Sequence, residues 1–384
     1  MDFNFNHDQE MLRGAFREFI EAEIAPKAAE WDEKDHCPVE LFPSMGKVGM
    51  CGIFVPEEFG GAGMGHTERI MVIEEIARYS AGLAMALFTH QLGMTPILDY
   101  GTSEQKKKYL PEMCAGAKIC GLAVTEPGGG SDFAGQKTTA ELKDGQWAIN
   151  GRKCFITNSH TADVTVLTAR TGEDAKGRPA LTTFIVESDV EGFGPGRKEN
   201  KLGLRGSTTG DLIINEAKVG ADKVCGAVGE GGKIGMAAIG EVGRASMAAI
   251  GVGIMRGCLE ESLKFANQRE LYGKPIAKLQ AIQFYIATMR VRYEAGRLLL
   301  YKAAALKDAG IPATTEFAMA KLFATEKAIE CAKDMIELMG GNGVINEYPA
   351  GRFLRDALAS IASGGTSEIQ KLIIAGATLG SFKA

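Results

Sequence analysis

With 384 residues, 45% of them hydrophobic and 24% charged, the chain is long enough for two or three globular domains and apolar enough to bury a sizeable core. Its 43 basic and 48 acidic residues leave a net charge of −5, which argues against bulk electrostatic binding of nucleic acid or an anionic membrane. The start, MDFNFNHDQE, is acidic and polar, unlike a signal or transit peptide, and no apolar run reads as long enough to span a bilayer.

Residues 8–30 place Met11, Ala15, Phe16, Phe19, Ile20 and Ile24 at helical spacing, with Pro26 bending or ending the helix. A turn-rich stretch follows, then the helical run ERIMVIEEIARYSAGLAMALFTHQLG. The texture then changes: WAING, DVTVLTAR, LTTFIVES and DLIINEAKV are short, rich in Val, Ile and Thr, and separated by glycine-bearing turns, which predicts strands. From about 230, long amphipathic runs return. Three long helices with short loops, and a fourth after GGTSEIQ, predict an antiparallel bundle. The expected class is α+β: an N-terminal all-α domain over 1–118, a central β-barrel or sandwich-like domain over 119–228, and a C-terminal four-helix bundle over 229–384.

Eight cysteines, at 37, 51, 114, 120, 154, 225, 258 and 331, form no C-x-x-C pair and read as buried thiols of a reducing cytoplasm. The five histidines show no short ligand spacing, so no metal site is expected. No G-x-S-x-G elbow is present, which lowers a hydrolase reading.

The densest motif is GLAVTEPGGGSDFAG, residues 121–135. It starts as a strand, breaks at Pro127 and frees its backbone with three glycines, so N–H and hydroxyl donors can meet a phosphate; alone, it reads equally as a turn loop. Four further stretches are NGRKCFITNSHTAD (150–163), KLGLRGSTTGDLIINEAKV (201–219), FANQRELYGKPIAKLQAIQF (265–284) and ELMGGNGVINEYPAGRFLRD (337–356). Last comes IASGGTSEIQK (361–371), where two glycines precede Thr366, Ser367 and Glu368. That pattern marks a tight turn feeding a helix N-terminus, where backbone N–H groups can approach an anion.

In this order and spacing the motifs resemble the acyl-CoA dehydrogenase family over essentially the whole chain. The resemblance implies bound FAD, an acyl-CoA thioester substrate, a homotetramer built as a dimer of dimers, an electron-transfer flavoprotein as redox partner and a cytoplasmic location. It also implies residue roles. Leu122 to Ser131 would be the first signature, with Val124 and Thr125 bonding the flavin ring and Gly130 and Ser131 near the pyrophosphate and the CoA arm. Phe155, Ile156 and Thr157 would pack on the ring, the Thr157 hydroxyl facing N5. Phe155 stands where most relatives carry Trp; it keeps a π face but has no N–H to donate. Arg269 and Gln280 would reach the FAD of a neighbouring subunit. Glu337, Gly340 and Gly341 would line its phosphate arm, and Glu337, where Gln is common, should point away or be screened by Arg269. Gly365, Thr366 and Glu368 would hold the adenosine end. Glu241 and Arg244 match positions that contact substrate or CoA; alone, they would be a surface pair three residues apart.

By the same resemblance, a proton leaves Cα while a hydride leaves Cβ, and a glutamate removes the proton. In this chain the usual position of that glutamate is Gly364, and the position used by a minority of relatives is Gly243. Residue 364 still offers a backbone N–H to polarise the thioester carbonyl. Glu241 and His90 are the candidate replacements; the bland readings are a substrate-binding or capping Glu241 and a structural His90. Three outcomes stay open: dehydrogenation or the reverse reduction of an enoyl-CoA, elimination from a substituted acyl-CoA with FAD structural, and a non-catalytic FAD-binding scaffold. Replacing Gly364 by Glu is the substitution the sequence singles out.

Overall fold

A computed structural model describes residues 4–174 and 176–381. The N-terminal part is helical: α1 (His7–Glu23), α2 (Ala28–Lys34), α3 (Phe42–Lys47), α4 (His66–Ala77), α5 (Ala81–Tyr100) and α6 (Ser103–Cys114). Asn6 caps α1 by accepting the Gln9 N–H while the Gln9 side chain accepts the Asn6 N–H. Pro26 falls in the turn between α1 and α2, where its missing N–H disrupts no helix.

Eight strands follow: β1 (Cys120–Ala123), β2 (Thr139–Lys143), β3 (Gln146–Thr157), β4 (Val164–Glu173), β5 (Pro179–Glu187), β6 (Phe193–Lys198), β7 (Thr209–Gly220) and β8 (Val224–Cys225). They form one sheet of order β6-β7-β3-β2-β4-β5-β8, with β1 joining β4 in parallel. β3 shifts register against β7 between Ile149 and Gly151 and again between Lys153 and Ile156. Such bulges bend a strand. The sheet curls accordingly: Trp147 on β3 and Phe184 on β5 lie three strand positions apart, about 14 Å on a flat sheet, yet their ring centroids are 5.5 Å apart. Their rings share a closed core with Ile149, Leu167 and Leu212. The expected barrel-like region is thus a single curled sheet.

The C-terminal part comprises α7 (Gly231–Ala237), a π-type turn over Ala238–Gly243, α8 (Arg244–Gln268), α9 (Gln280–Asp308), α10 (Thr314–Met339), α11 (Ala350–Ser360) and α12 (Ser367–Ser381). A two-strand hairpin, β9 (Glu270–Leu271) with β10 (Lys274–Pro275), joins α8 to α9. α10 packs against α8, α9, α11 and α12. The hairpin and α11 interrupt the plain succession of long helices that the sequence suggests. One expectation is corrected outright. The continuous run Gly231–Gln268 is long and apolar enough to cross a membrane, with a mean hydropathy of 1.2, but 89% of its most apolar window is buried inside the protein. It is the central helix of a core that also takes in α4 and α5.

That core holds buried charge. Glu74 accepts hydroxyl bonds from Tyr293 (3.2 Å) and Tyr301 (2.7 Å), and Glu75 pairs with Arg17 (3.0 Å) and Arg256 (2.7 Å). These bonds tie α4 to α1, α8 and α9, fixing the N-terminal helices on the bundle. All eight cysteines are buried and free.

Candidate functional site

Two segments carry the candidate residues. The first is the end of β1 and the glycine loop after it. Leu122, Val124, Ile156 and Thr157 are buried, whereas Gly130 and Ser131 are exposed on the loop. Cys154 N–H donates to the Thr125 carbonyl at 2.9 Å, so the chain beyond β1 runs beside the β3 bulge. Phe155 sits in that bulge with φ +55° and is 66% exposed. A large aromatic held clear of the sheet on a strained backbone offers a stacking face. Asn158, just past Thr157, donates to the Ala86 carbonyl at 3.0 Å and the Cys120 carbonyl at 3.2 Å, fastening this edge to α5.

Beneath the platform lies a lysine the sequence did not reveal. Lys153 is fully buried, and its ammonium donates to the carbonyl of Val124 (3.3 Å), the carboxylate of Glu126 (2.7 Å) and the amide oxygen of Gln136 (2.7 Å). All three donors are used. Burial pushes its pKa down to about 8, against the pull of Glu126. Burial alone would raise Glu126, but the bonds from Lys153 and the Thr138 and Lys137 N–H groups hold it below the usual carboxylate range.

The second segment is the loop from α11 to α12. Gly364 and Gly365 have φ +65° and +92°, a conformation glycine adopts without steric penalty. The Gln370 amide donates to the carbonyls of Gly365 (3.0 Å) and Gly364 (3.3 Å), and the Lys321 ammonium donates to the Ile361 carbonyl at 2.5 Å. Thr366 caps α12 by accepting the Ile369 N–H at 3.4 Å. Glu368 follows with its carboxyl below the ordinary range through backbone and Thr366 bonds at the helix start. Carbonyls turned inward onto Gln370 leave the N–H groups of the same peptide planes facing the other way.

The two candidate bases have other partners. His90 is fully buried; its Nδ1 accepts the Cys120 N–H at 3.0 Å, so Nε2–H donates to the Met113 carbonyl at 3.1 Å. Burial pushes its pKa down to about 4. This is a core histidine with both ring nitrogens engaged, which corrects its candidacy as a base. Glu241 lies on the π-type turn, paired with Lys307 at 2.5 Å and accepting from Thr314 at 3.4 Å. Arg244 is buried with its Nε unpartnered, Nη1 donating to the Gly240 carbonyl, and burial lowers its pKa.

Arg269 ends α8, Gln280 begins α9, and Glu337, Gly340 and Gly341 close α10; all are exposed. The Tyr285 hydroxyl donates to Glu337 at 2.8 Å and Lys333 lies 3.5 Å from it, so these groups, rather than Arg269, meet that carboxylate. A Cβ at Gly364 would touch Met247, near the opposite end of α8 from Arg269. At 1.5 Å per residue the 22 steps from Met247 to Arg269 span about 33 Å.

A flavin dinucleotide fits these residues. Phe155 supplies an aromatic face, and the glycine loop and the start of α12 supply N–H groups. Ser367 Oγ and Gln370 Oε1, both buried, have no protein partner and stand available for a polar ligand or water.

Comparison with known proteins agrees. Family models of the N-terminal, middle and C-terminal domains of acyl-CoA dehydrogenase match residues 6–117, 121–217 and 229–379. The chain is 42% identical to an acyl-CoA dehydrogenase of Bacillus subtilis, covering 97% of this chain and 98% of that one. It is 40% identical to the acryloyl-CoA reductase (NADH) of Anaerotignum propionicum, covering 98% and 95%. Its fold overlays butyryl-CoA dehydrogenase of Megasphaera elsdenii with TM-score 0.95 at 36% identity, covering 99% and 100%. An acyl-CoA dehydrogenase solved from Bacillus anthracis, with TM-score 0.91 at 30% identity over 98% of this chain and 67% of that one, is complexed with FAD. The chain belongs to the acyl-CoA dehydrogenase family, as an FAD-dependent oxidoreductase that interconverts acyl-CoA and enoyl-CoA.

Proposed function

We propose that the chain catalyses Cα–Cβ oxidation or reduction of a CoA thioester with no side-chain carboxylate at either position where its relatives carry the base. The observation behind this reading is the loop itself: Gly364 and Gly243 supply no side chain, His90 is bound on both nitrogens, and Glu241 is paired with Lys307. FAD supplies the two-electron acceptor or donor. The protein then contributes an aromatic platform at Phe155, backbone N–H groups at Gly364 and beyond for the thioester carbonyl, and Arg244 for the CoA arm.

Microscopic reversibility links the two directions. A missing base slows proton removal and its reverse alike, so direction follows from the flavin potential and the redox partner. The proton passes to solvent or to a group on the substrate. An electron-transfer flavoprotein is the proposed partner. The cofactor site is built from two copies: Arg269 lies about 33 Å along α8 from Met247 beside the Gly364 loop, as a shared site requires, and Gln280 and Glu337–Gly341 would join Arg269 from the partner copy. Exposed apolar residues on α9, Phe284, Val291 and Leu298 at seven-residue intervals, give a homotetramer its contact stripe.

The test is the pH profile of single-turnover flavin bleaching by butyryl-CoA. Solvent-borne abstraction predicts a rate that climbs steadily from pH 6 to 9. A plateau above a carboxylate pKa would mean that a glutamate or aspartate does the work. A second reading, elimination from a β-substituted acyl-CoA, draws on the same missing base; its signature is leaving-group release with the flavin remaining oxidised.

A further inference from the structure

A cleft of about 1000 Å³ opens where all three parts of the chain meet. Its walls are the α1–α2 turn with the start of α2, the loop between β6 and β7, one face of α8 and the start of α11. On α8, Glu261, Lys264, Phe265 and Gln268 recur at helical spacing and share that face. No residue of the glycine loop or of the 361–366 loop lines the cleft, and neither do Arg269, Gln280, Glu337, Gly340 and Gly341. It is a separate cavity from the flavin and thioester segments.

Arg352, in the first turn of α11, lines both this cleft and a smaller pocket beside it. Its Nε is buried without a partner, and no hydrogen bond or ion pair joins its guanidinium to any described residue. The carboxylates around it are engaged elsewhere. Asp32 holds Arg355 in a two-point contact, Asp356 accepts the Leu204 N–H at 2.6 Å, and Glu261 lies 3.9 Å from Lys264. Burial lowers the Arg352 pKa. A guanidinium withdrawn from water with its donors unused is costly, and folded proteins satisfy such groups. Arg205 adds a second guanidinium to the wall. Its bonds go to the carbonyls of Asp32, Glu33 and Lys201 and to the Asn200 amide oxygen, so no carboxylate in contact neutralises it. Glu33 and Glu347 also border the cleft, but both are exposed, where water and salt screen them. The opposite character comes from aromatic rings: Phe265 and Tyr348 meet edge to face at 5.7 Å, and Tyr79 lines the same space.

We propose that this cleft is a nucleotide-binding site, in which Arg352 and Arg205 take a phosphate and the rings of Phe265, Tyr348 and Tyr79 take a planar base. Guanidinium forks match phosphate oxygens in two-point geometry. The first turn of α11 favours the same anion through the helix dipole. Aromatic faces suit a base, and the volume is that of a small-molecule site. A nucleotide held there bridges α2, α8 and α11 and takes part in no step of the thioester reaction. Its source is either a free nucleotide or the nucleotide end of CoA, which share the phosphate and the base.

The test is equilibrium dialysis of the flavin-loaded protein, wild type and Arg352→Met, against ADP, CoA, adenosine and inorganic phosphate, with a melting curve for each protein. ADP should bind at least about 10-fold more tightly than adenosine or phosphate, and Arg352→Met should weaken it at least about 10-fold. Because Arg352 has no protein partner, Arg352→Met should melt no more than about 2 °C below the wild type when no nucleotide is present. CoA binding that also depends on Arg352 would identify the nucleotide end of CoA as the source; Arg352-dependent binding of ADP alone would identify a free nucleotide. A larger fall in melting temperature would make Arg352 a structural residue and overturn the proposal. So would ADP binding that is unchanged in Arg352→Met, that butyryl-CoA displaces in that variant, or that releases the flavin, since each places ADP in the thioester or cofactor site. Phosphate binding as tightly as ADP would mean an adventitious ion only, and no binding at all would refute the site.

Discussion

Two buried lysines mark two differently built regions. Under the β3 bulge that carries Phe155, Lys153 has a carboxylate partner and two further acceptors, each within hydrogen-bond distance. Behind the 361–366 loop, Lys321 donates to one carbonyl, that of Ile361, and feels Glu326 and Glu368 only at longer range. Burial lowers both pKa values to about 8. The platform is fixed by paired charge, whereas the loop is fixed by donors acting on carbonyls. In the proposed function that difference separates the two tasks of the site: holding a planar cofactor needs rigidity, and the loop would provide backbone N–H groups without an acid.

The comparison breaks most visibly at Lys153. Lys153→Met leaves the Glu126 carboxylate buried without its cation, and losing one partner of such a pair costs about 3–5 kcal/mol. The expected result is a large drop in urea midpoint together with loss of the flavin absorbance that the platform supports. Lys153→Met with Glu126→Leu removes both charges and should recover much of the stability. A single variant as stable as the wild type would show that the pair does not hold the platform.

His90 gives the next largest effect, and its sign is fixed. Its folded pKa, about 4, lies below the unfolded value near 6.5, so the unfolded chain binds the proton first. The stability it contributes is complete above pH 6.5 and falls as pH drops toward 4. Between those limits the wild type should lose about 3 kcal/mol relative to His90→Gln, measured by urea unfolding at each pH. A parallel pH dependence in both proteins would place the titrating group elsewhere.

How much of this was legible beforehand follows from what each feature depends on. Helices and strands with strong local period emerged from the sequence in order, because α8, α9 and α10 are long and the strands of the middle region are rich in Val, Ile and Thr. Gly364 was visible in a recognisable motif, as the residue on which the proposed vacancy rests. Its surroundings were not, because the φ of that glycine and the position of Met247 are set by how α8 packs on the loop. Lys153, Lys321 and Gln370 were passed over for the same reason. Lysine in a strand or helix ordinarily reads as a solvated residue, and only the fold brings Lys321 to a carbonyl 40 residues away. His90 was over-read, since nothing local reveals that Cys120 and Met113 occupy both nitrogens.

Lys321 sharpens the comparison from the loop side. Lys321→Met leaves the Ile361 carbonyl without its donor, a loss of about 1–3 kcal/mol, smaller than at Lys153 because no carboxylate in contact is stranded. Its pH dependence has the same sign as that of His90, in a more alkaline window. The unfolded lysine keeps its proton to about pH 10.5 while the folded one releases it near 8, so stability rises as pH climbs through that window. The wild type should gain on Lys321→Met between pH 8 and 10.5 in urea titrations, and a constant difference would refute the assignment.

The smallest effect belongs to Glu241 and Lys307, a charge pair joining the π-type turn to the end of α9. Both side chains are partly exposed, 22% and 35%, so solvent screens their attraction despite the short contact. Exposed pairs of this kind couple by about 0.2–1 kcal/mol, less in high salt. A double-mutant cycle of Glu241→Gln and Lys307→Met should return a coupling in that range that shrinks between 0.05 and 0.5 M NaCl, concentrations chosen to bring the Debye length from roughly 14 Å down to about 4 Å. A coupling several times larger and insensitive to salt would mean that the pair is shielded from water like Lys153 and Glu126. The contrast between a charge-fixed platform and a carbonyl-fixed loop would then have to be redrawn.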